Sequence, residues 1–292
     1  MIPTYDTPIK GLNLNNKQLT EDERTLTFTS QKQNFVLAQE IYSSKDGVIP
    51  EILKDKINTP LADAISAKNN NADMLSYKIN VEKIENKQKF LNEQTDIISK
   101  IIEETMLPII ISTLSTTENK LDIILHLAKT VQSPLIFAGI EEANYKEIIP
   151  HLIDTKHLII ARTPIDINLT KELNILIRDM GFSLDRLIID PTAAALGYGL
   201  DYAYSIIERI KFAALNGDTT LNLPIISMCA EEVYRAKETK SEDFPESWGN
   251  LKDRALIWEL STASAFISAG ANIVTLANPK SIEYFNKVFK EQ

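Results

Sequence analysis

The sequence predicts an α/β protein of the (β/α)8 type, a TIM barrel in which eight parallel strands, each followed by a helix, close into one ring. Three observations predict it. Short apolar, β-branched runs recur along the chain, each followed by a helical pattern, and this alternation marks parallel βα units. The runs number eight, which is what such a barrel needs. The length, 292 residues, is one that βα barrels occupy as a single domain. An open, doubly wound sheet is the alternative, because strand order is invisible in sequence.

Taken in order, the chain opens with the polar stretch Met1 to Gln18, which carries Pro3, Pro8 and Gly11 and lacks the apolar core of a secretory signal. Residues 1–30 read as an N-terminal extension and residues 31–292 as the barrel domain. The strand runs are Asn34 to Glu40, Met74 to Ile79, Leu107 to Ser112, Pro134 to Gly139, His157 to Ala161, Arg186 to Asp190, Leu223 to Met228 and Asn272 to Leu276. The stretches between them are long enough for one crossover helix each. In Leu169 to Met180, residues Leu169, Leu173, Leu176, Ile177 and Met180 share one face, Asn168 is placed to cap the start, and Gly181 to close the end. Leu200 to Leu215 repeats the pattern through Ala203, Ile206, Ile207, Ile210 and Ala214. Lys240 to Asp253, with Pro245 and Gly249, breaks the periodicity and reads as a long loop of the kind that serves as a lid or interface element.

Composition narrows the function classes. A formal charge of −9 with no Lys/Arg-rich run argues against nucleic acid, whose binding needs clustered cations to neutralise phosphates. No apolar stretch approaches the roughly 20 residues that span a bilayer, so a soluble, cytoplasmic chain is expected. One cysteine, Cys229, excludes an internal disulfide and cannot supply the about four thiolates of an iron–sulfur cluster. No histidine–carboxylate or Cys-x-x-Cys spacing suggests a metal.

Active ends of βα barrels are built from the loops after the strands, so polar residues at strand ends are the candidates. The fifth run leads into Asp166 and Asn168, the sixth into Asp190 and Thr192, the seventh into Cys229 and Glu231, and the eighth into Asn278. Asp166 and Asn168 also have a capping role open to them, and Asp190 before Pro191 fits ordinary turn chemistry. Gly197 and Gly199 around Tyr198 suit either close approach of a flat ligand or a kinked helix start, and their spacing matches no phosphate-binding loop. Lys78 stands where a Schiff-base lysine would, though pairing with a neighbouring barrel carboxylate is the favoured reading. His126 falls on a helix, and His151 and His157 flank the start of a strand, the wrong end for catalysis. Cys229 reads as a small buried apolar residue. No catalytic set emerges.

Four stretches carry a resemblance: Thr163 to Ile177 (TPIDINLTKELNILI), Asp190 to Ile210 (DPTAAALGYGLDYAYSIIERI), Tyr234 to Glu238, and Trp248-Gly249 with Trp258-Glu259. From about Leu135 to Pro279 the chain resembles the small subunit of the corrinoid iron–sulfur protein, whose archaeal counterpart is the delta subunit of the acetyl-CoA decarbonylase/synthase complex. The resemblance implies a barrel that pairs with a large subunit bearing the iron–sulfur cluster and a cobamide domain, and that helps enclose the corrinoid. It implies a methyl group passed from a methyl-tetrahydropterin methyltransferase to acetyl-CoA synthase, both transient partners, in the reductive acetyl-CoA pathway of an anaerobe. The residues it would bring to the shared corrinoid are Asp166, Asn168, Asp190, Thr192, Gly197, Tyr198, Gly199, Glu231 and Asn278. Departures from the family lie at the same end. Ala193-Ala194 stands where Thr-Gly is usual, Ala230-Glu231 where Gly-Gln is usual, and Ser112 to Lys120 lacks the family's glycines. A divergent member fits these departures. The rival readings are a stand-alone pterin-dependent methyltransferase or small-molecule lyase using Asp166, Asn168, Asp190 and Asn278, and a scaffold whose ligand site has decayed.

Overall fold

Alternate residues of eight parallel strands fill the inside of a ring in the computed structural model, which describes residues 9–13, 25–28, 35–44, 50–81, 84–113 and 119–289. In chain order the strands are β1 (Ile9–Asn13), β2 (Thr25–Phe28), β3 (Val36–Tyr42), β4 (Met74–Ile79), β5 (Ile109–Thr113), β6 (Ile136–Ile140), β7 (Leu158–Arg162), β8 (Leu187–Asp190), β9 (Ile226–Ser227) and β10 (Ile273–Leu276). The α-helices are α1 (Pro60–Asn69), α2 (Lys87–Thr105), α3 (Asn119–Thr130), α4 (Tyr145–Ile148), α5 (Ile167–Asp179), α6 (Leu200–Leu215), α7 (Cys229–Val233), α8 (Leu251–Ala269) and α9 (Pro279–Phe289). Strands β3 to β10 form one parallel sheet in the order β8-β7-β6-β5-β4-β3-β10-β9. Its two ends meet through a bridge between Ile189 and Ile225, with the Ile189 N–H donating to Pro224 O at 2.8 Å. The ring is therefore a nearly closed barrel, and the open-sheet alternative falls.

Each of the eight expected runs overlaps a barrel strand. The seventh shrinks to two residues, because Pro224 has no N–H to give the ladder and the chain turns into α7 straight after Met228. Strands β1 and β2 pair antiparallel with each other; the rest of the expected 1–30 extension lies outside the described residues.

Side chains alternate between faces along a strand. Val36 and Ala38, Met74, Leu158 and Ile160, and Ile188 point inward and pack with Ile110, Ile136 and Ile226 into an inner core. The opposite faces, with Leu37, Leu75, Ile159 and Ile189, pack on the helices in the larger outer core. Burying each such side chain contributes about 2 kcal/mol. The same two-residue period carries the inward face up to Glu40, Lys78, Arg162 and Asp190, one turn of the pleat above Ala38, Ser76, Ile160 and Ile188. Charged side chains thus form the top layer of the barrel interior.

The helix ends show how loops are fixed. Asp166 caps α5, its carboxylate accepting from the N–H groups of Asn168 at 2.7 Å and Leu169 at 3.0 Å. Asn168, expected at the cap, lies instead inside the first turn, because the helix starts at Ile167. Gly181 closes α5 with φ +95°. The expected long loop 240–253 is shorter and better held than its sequence suggested. Asn250 caps α8, which begins at Leu251, and the Arg254 guanidinium donates to Glu238 O, Ser241 O and Gly249 O.

Candidate functional site

The mouth of the barrel at the C-terminal ends of the strands is a cleft of about 960 Å³. Its floor is a chain of ion pairs among Glu40, Lys78, Glu231, Arg162 and Asp190. Lys78 Nζ lies 2.5 Å from Glu231 Oε1 and 3.2 Å from Glu40 Oε1. The second Glu40 oxygen accepts from the Tyr42 hydroxyl at 2.8 Å. Arg162 donates through Nε to Asp190 Oδ2 at 2.6 Å and through Nη2 to Glu231 Oε2 at 3.3 Å. Glu231 joins the two cations because α7 follows β9 without a loop, lifting its side chain over the barrel axis. That short helix replaces the strand-end loop expected at Cys229 to Glu231.

Electrostatics follow from this wiring. Burial alone would raise the Glu231 carboxyl, but the Lys78 and Arg162 cations outweigh it and hold the group at about 2. Burial likewise works against charge on Lys78, yet Glu231 and Glu40 prevail and its pKa rises. Asp190 and then Glu231 push Arg162 upward. Lys120, donating to Gly139 O at 2.5 Å, is instead lowered by burial, with Arg162 adding repulsion. Lys78 therefore pairs with barrel carboxylates, the reading favoured for it, and is a poor nucleophile because its lone pair is protonated.

Of the other candidates, Asp190 is fully buried, its second oxygen accepting from the Thr192 N–H at 3.0 Å. Thr192, with φ +64°, donates from its hydroxyl to Thr163 O at 2.6 Å. Asp190 thus meets the mouth through Arg162. The turn from Leu196 to Leu200 needs left-handed backbone at Gly197 (φ +78°) and Gly199 (φ +84°), where a Cβ would be strained. Between them Tyr198 is half exposed and donates to Glu238 Oε2 at 2.9 Å. Trp258 donates to Leu196 O at 3.1 Å and stacks on Trp248, which stacks on Phe244. Asn278 is buried and its Oδ1 accepts from the Lys280 N–H, at the start of α9. Its own N–H points to the carboxylate of Glu259, which also accepts from Ala277 N–H and Ser281 Oγ. Glu259 is fully buried, and burial raises it to about 7. Cys229 is buried and its thiol is pushed up by burial. His157 lies at the opposite end of β7, its Nδ1 accepting from the Leu135 N–H at 3.1 Å.

Sequence reasoning named Glu231 and Lys78 but missed Glu40, Arg162 and Lys120. Glu40 and Arg162 sit in step with the inward-facing residues of their own strands, and counting by two from Ala38 and Ile160 would have found both. Among the described residues no group of His, Cys, Asp and Glu is placed to hold a metal ion, and no helix is long and apolar enough to cross a membrane.

A family model for the CO dehydrogenase/acetyl-CoA synthase delta subunit matches residues 38–280. The acetyl-CoA decarbonylase/synthase complex subunit delta of Archaeoglobus fulgidus is 29% identical over 206 residues, 68% of this chain and 45% of that one. Subunit delta 2 of Methanosarcina acetivorans is 29% identical over 75% of this chain and 51% of its own, and the Methanopyrus kandleri subunit 25% over 66% and 48%. The chain thus spans about half the length of the curated relatives it matches. Among solved structures, dihydropteroate synthase of Xanthomonas albilineans with 4-aminobenzoic acid aligns with a TM-score of 0.61 at 10% identity, over 91% of this chain and 95% of that one. The enzyme of Stenotrophomonas maltophilia aligns with 0.60 at 11%, over 89% and 92%. At such identity the likeness concerns the fold alone, a βα barrel.

Proposed function

This chain belongs to the CO dehydrogenase/acetyl-CoA synthase delta subunit family, and from that membership we propose that it is the barrel subunit of a corrinoid iron–sulfur protein. In this reading it pairs with a large subunit carrying the cobamide and the iron–sulfur cluster, in the cytoplasm, and its mouth helps enclose the corrinoid. The pair takes a methyl group from a methyl-tetrahydropterin methyltransferase and delivers it to acetyl-CoA synthase. Residues 31–292 form the barrel unit and residues 1–30 an appendage to it.

One observation carries the reading: a wide mouth whose floor charges are committed to one another. Lys78 and Arg162 are held by Glu40, Glu231 and Asp190, so none of these five groups is a free base or nucleophile. A cobamide presents amide groups around its edge, which need both donors and acceptors. Lys240 and Lys252 as donors, Glu141 and Glu242 as acceptors and the Ser112 hydroxyl line the mouth and offer both kinds, whereas Lys120, Asn144 and His157 are spent on the backbone. This donor set fits the edge of a corrinoid and offers the cobalt no histidine. When bound, the corrinoid supplies the methyl-carrying chemistry. The chain's part is to keep charge fixed, shield the site from water and orient the partner. Of the residues assigned to that role, Glu231 lines the mouth, Thr192, Gly197, Tyr198 and Gly199 are partly or fully exposed, Asp166, Asp190 and Asn278 bond backbone N–H groups at loop and helix starts, and Asn168 lies exposed in the first turn of α5.

The test is anaerobic purification of the native protein from its host, with its visible spectrum and subunit composition recorded. The expected result is a persistent heterodimer showing corrinoid and iron–sulfur absorption. A monomer lacking both would sink the reading. Methyl transfer from a methylated pterin by the isolated chain would support the stand-alone methyltransferase instead.

A further inference from the structure

Beside the mouth, between the loop after β6 and α5, lies a second cleft of about 540 Å³, which shares Thr192 with the residues assigned above. Its apolar wall is Pro164, Leu169, Leu173 and Leu176, and its rim carries Glu141, Glu142 and Glu172. Leu169, in the first turn of α5, is 39% exposed and Ile165, just before its cap, 38%, so two large apolar side chains stand together at this edge. The wall is rigid. Asp166 caps the helix that bears the leucines, and the Thr163 and Thr170 hydroxyls bond at 2.8 Å across the loop. Arg162, Glu141 and Ala143 line both this groove and the mouth, so anything seated in the groove borders the mouth.

From this apolar wall and acidic rim we infer that the groove is a docking site for a partner protein, which inserts a leucine-type side chain flanked by lysine or arginine. The apolar wall supplies the burial and the three carboxylates select the sign of the flanking charge. An acidic segment is rejected by the same rim, and so is an anionic lipid surface. A partner anchored here overhangs the mouth from the β6–β7 side. The inference stands whether or not that partner carries a corrinoid, because it depends only on the groove.

The experiment uses the purified chain and two fluorescein-labelled amphipathic helical peptides, one of leucine and lysine and one of leucine and glutamate, followed by fluorescence anisotropy. Saturable binding of the lysine peptide is expected, with the glutamate peptide weaker by about tenfold or more. The double variant Glu142→Lys with Glu172→Lys, and separately Leu169→Asp, should each weaken the lysine peptide about tenfold. A control with the same change of net charge, Glu208→Lys with Glu283→Lys on the exposed faces of α6 and α9, should leave it within about twofold. Circular dichroism confirms that the variants fold. Equal loss in both double variants, or equal binding of both peptides, overturns the groove as the site. Concentration-dependent dimerisation that Glu142→Lys with Glu172→Lys abolishes would overturn the choice of partner, since the occupant would be a second copy of this chain. Failure of this test leaves the heterodimer test untouched, because the two use different readouts.

Discussion

Replacing Glu231 by Gln removes the one charge that Lys78 and Arg162 share while keeping the side chain's shape. In the folded chain this carboxyl stands at about 2 against an ordinary 4.5. A difference of that size corresponds to about 3 kcal/mol, since each tenfold change in acidity is about 1.4 kcal/mol. The side chain is 22% exposed, so solvent screening trims this, and Glu40 at 3.2 Å still faces Lys78 in the variant. The expected loss at pH 7 is therefore about 2 kcal/mol. The sign with pH follows from a depressed carboxyl. Its contribution is complete above about pH 4.5, where the unfolded chain also ionises, and is lost as pH falls toward 2. Roughly two-fifths of it should be gone by about pH 3.5. Urea unfolding followed by the fluorescence of Trp248 and Trp258 at pH 7, 5.5, 4.5 and 3.5 measures both quantities. The wild-type and variant stabilities should converge on the acid side. Parallel curves from pH 5.5 to 3.5, or a loss under about 0.5 kcal/mol at pH 7, would refute the account of the mouth as an ion-paired floor.

Lys211 gives the opposite case. Its ammonium donates to Asn272 Oδ1 at 2.7 Å beneath the barrel seam, and burial lowers it to about 8. The folded chain releases that proton near 8 and the unfolded chain near 10.5, so stability climbs with pH across this window. Lys211→Met should add about 1–2 kcal/mol at pH 7 after its lost hydrogen bond is counted, and the gain should vanish near pH 10.5 in thermal melts; a gain equal at both pH values would contradict the cause. At the head of α5, Asp166→Ala should cost about 1 kcal/mol in urea unfolding while Asn168→Ala costs under about 0.5. The reverse order would place the cap at Asn168 after all.

The barrel was legible because its strands are built from consecutive β-branched residues, Ile109-Ile110-Ile111 above all, and no helix-like spacing competes with them. Strand β9 was the hardest to delimit, since Pro224 and the immediate turn into α7 leave two laddered residues inside a longer apolar run. The site was legible only in part, for two physical reasons. Lys78 and Glu231 are 153 residues apart, and only barrel closure brings them together. Strand-end polar residues are also ambiguous in sequence, because the same side chains serve ligands and backbone alike. Asp166 and Asn278 serve helix starts, and Asp190 serves Arg162. The Asp190 to Gly199 segment divides accordingly: Asp190 to Ala195 locks against Arg162, Thr163 and the core, and only Gly197 to Gly199 opens outward.

How the charges are set bears on what the mouth does. A group that moves protons near neutrality works best with its pKa near the working pH. On the floor, Glu231 is held at about 2 while Lys78 and Arg162 are both raised, so each keeps one charge state across the physiological range. A carboxyl tuned near neutrality, Glu259 at about 7, lies behind Ala277 and Asn278 with its oxygens accepting from their N–H groups and from Ser281. It has no route to a substrate in the cleft. A stand-alone methyltransferase would want a proton donor beside its pterin, and Lys78, Arg162 and Glu231 are each committed to an ion pair. A subunit that encloses another protein's reactive centre wants the opposite: fixed charge, a dry wall and no competing base. The ion-paired floor supplies the first of these, and that supports the proposed enclosing role.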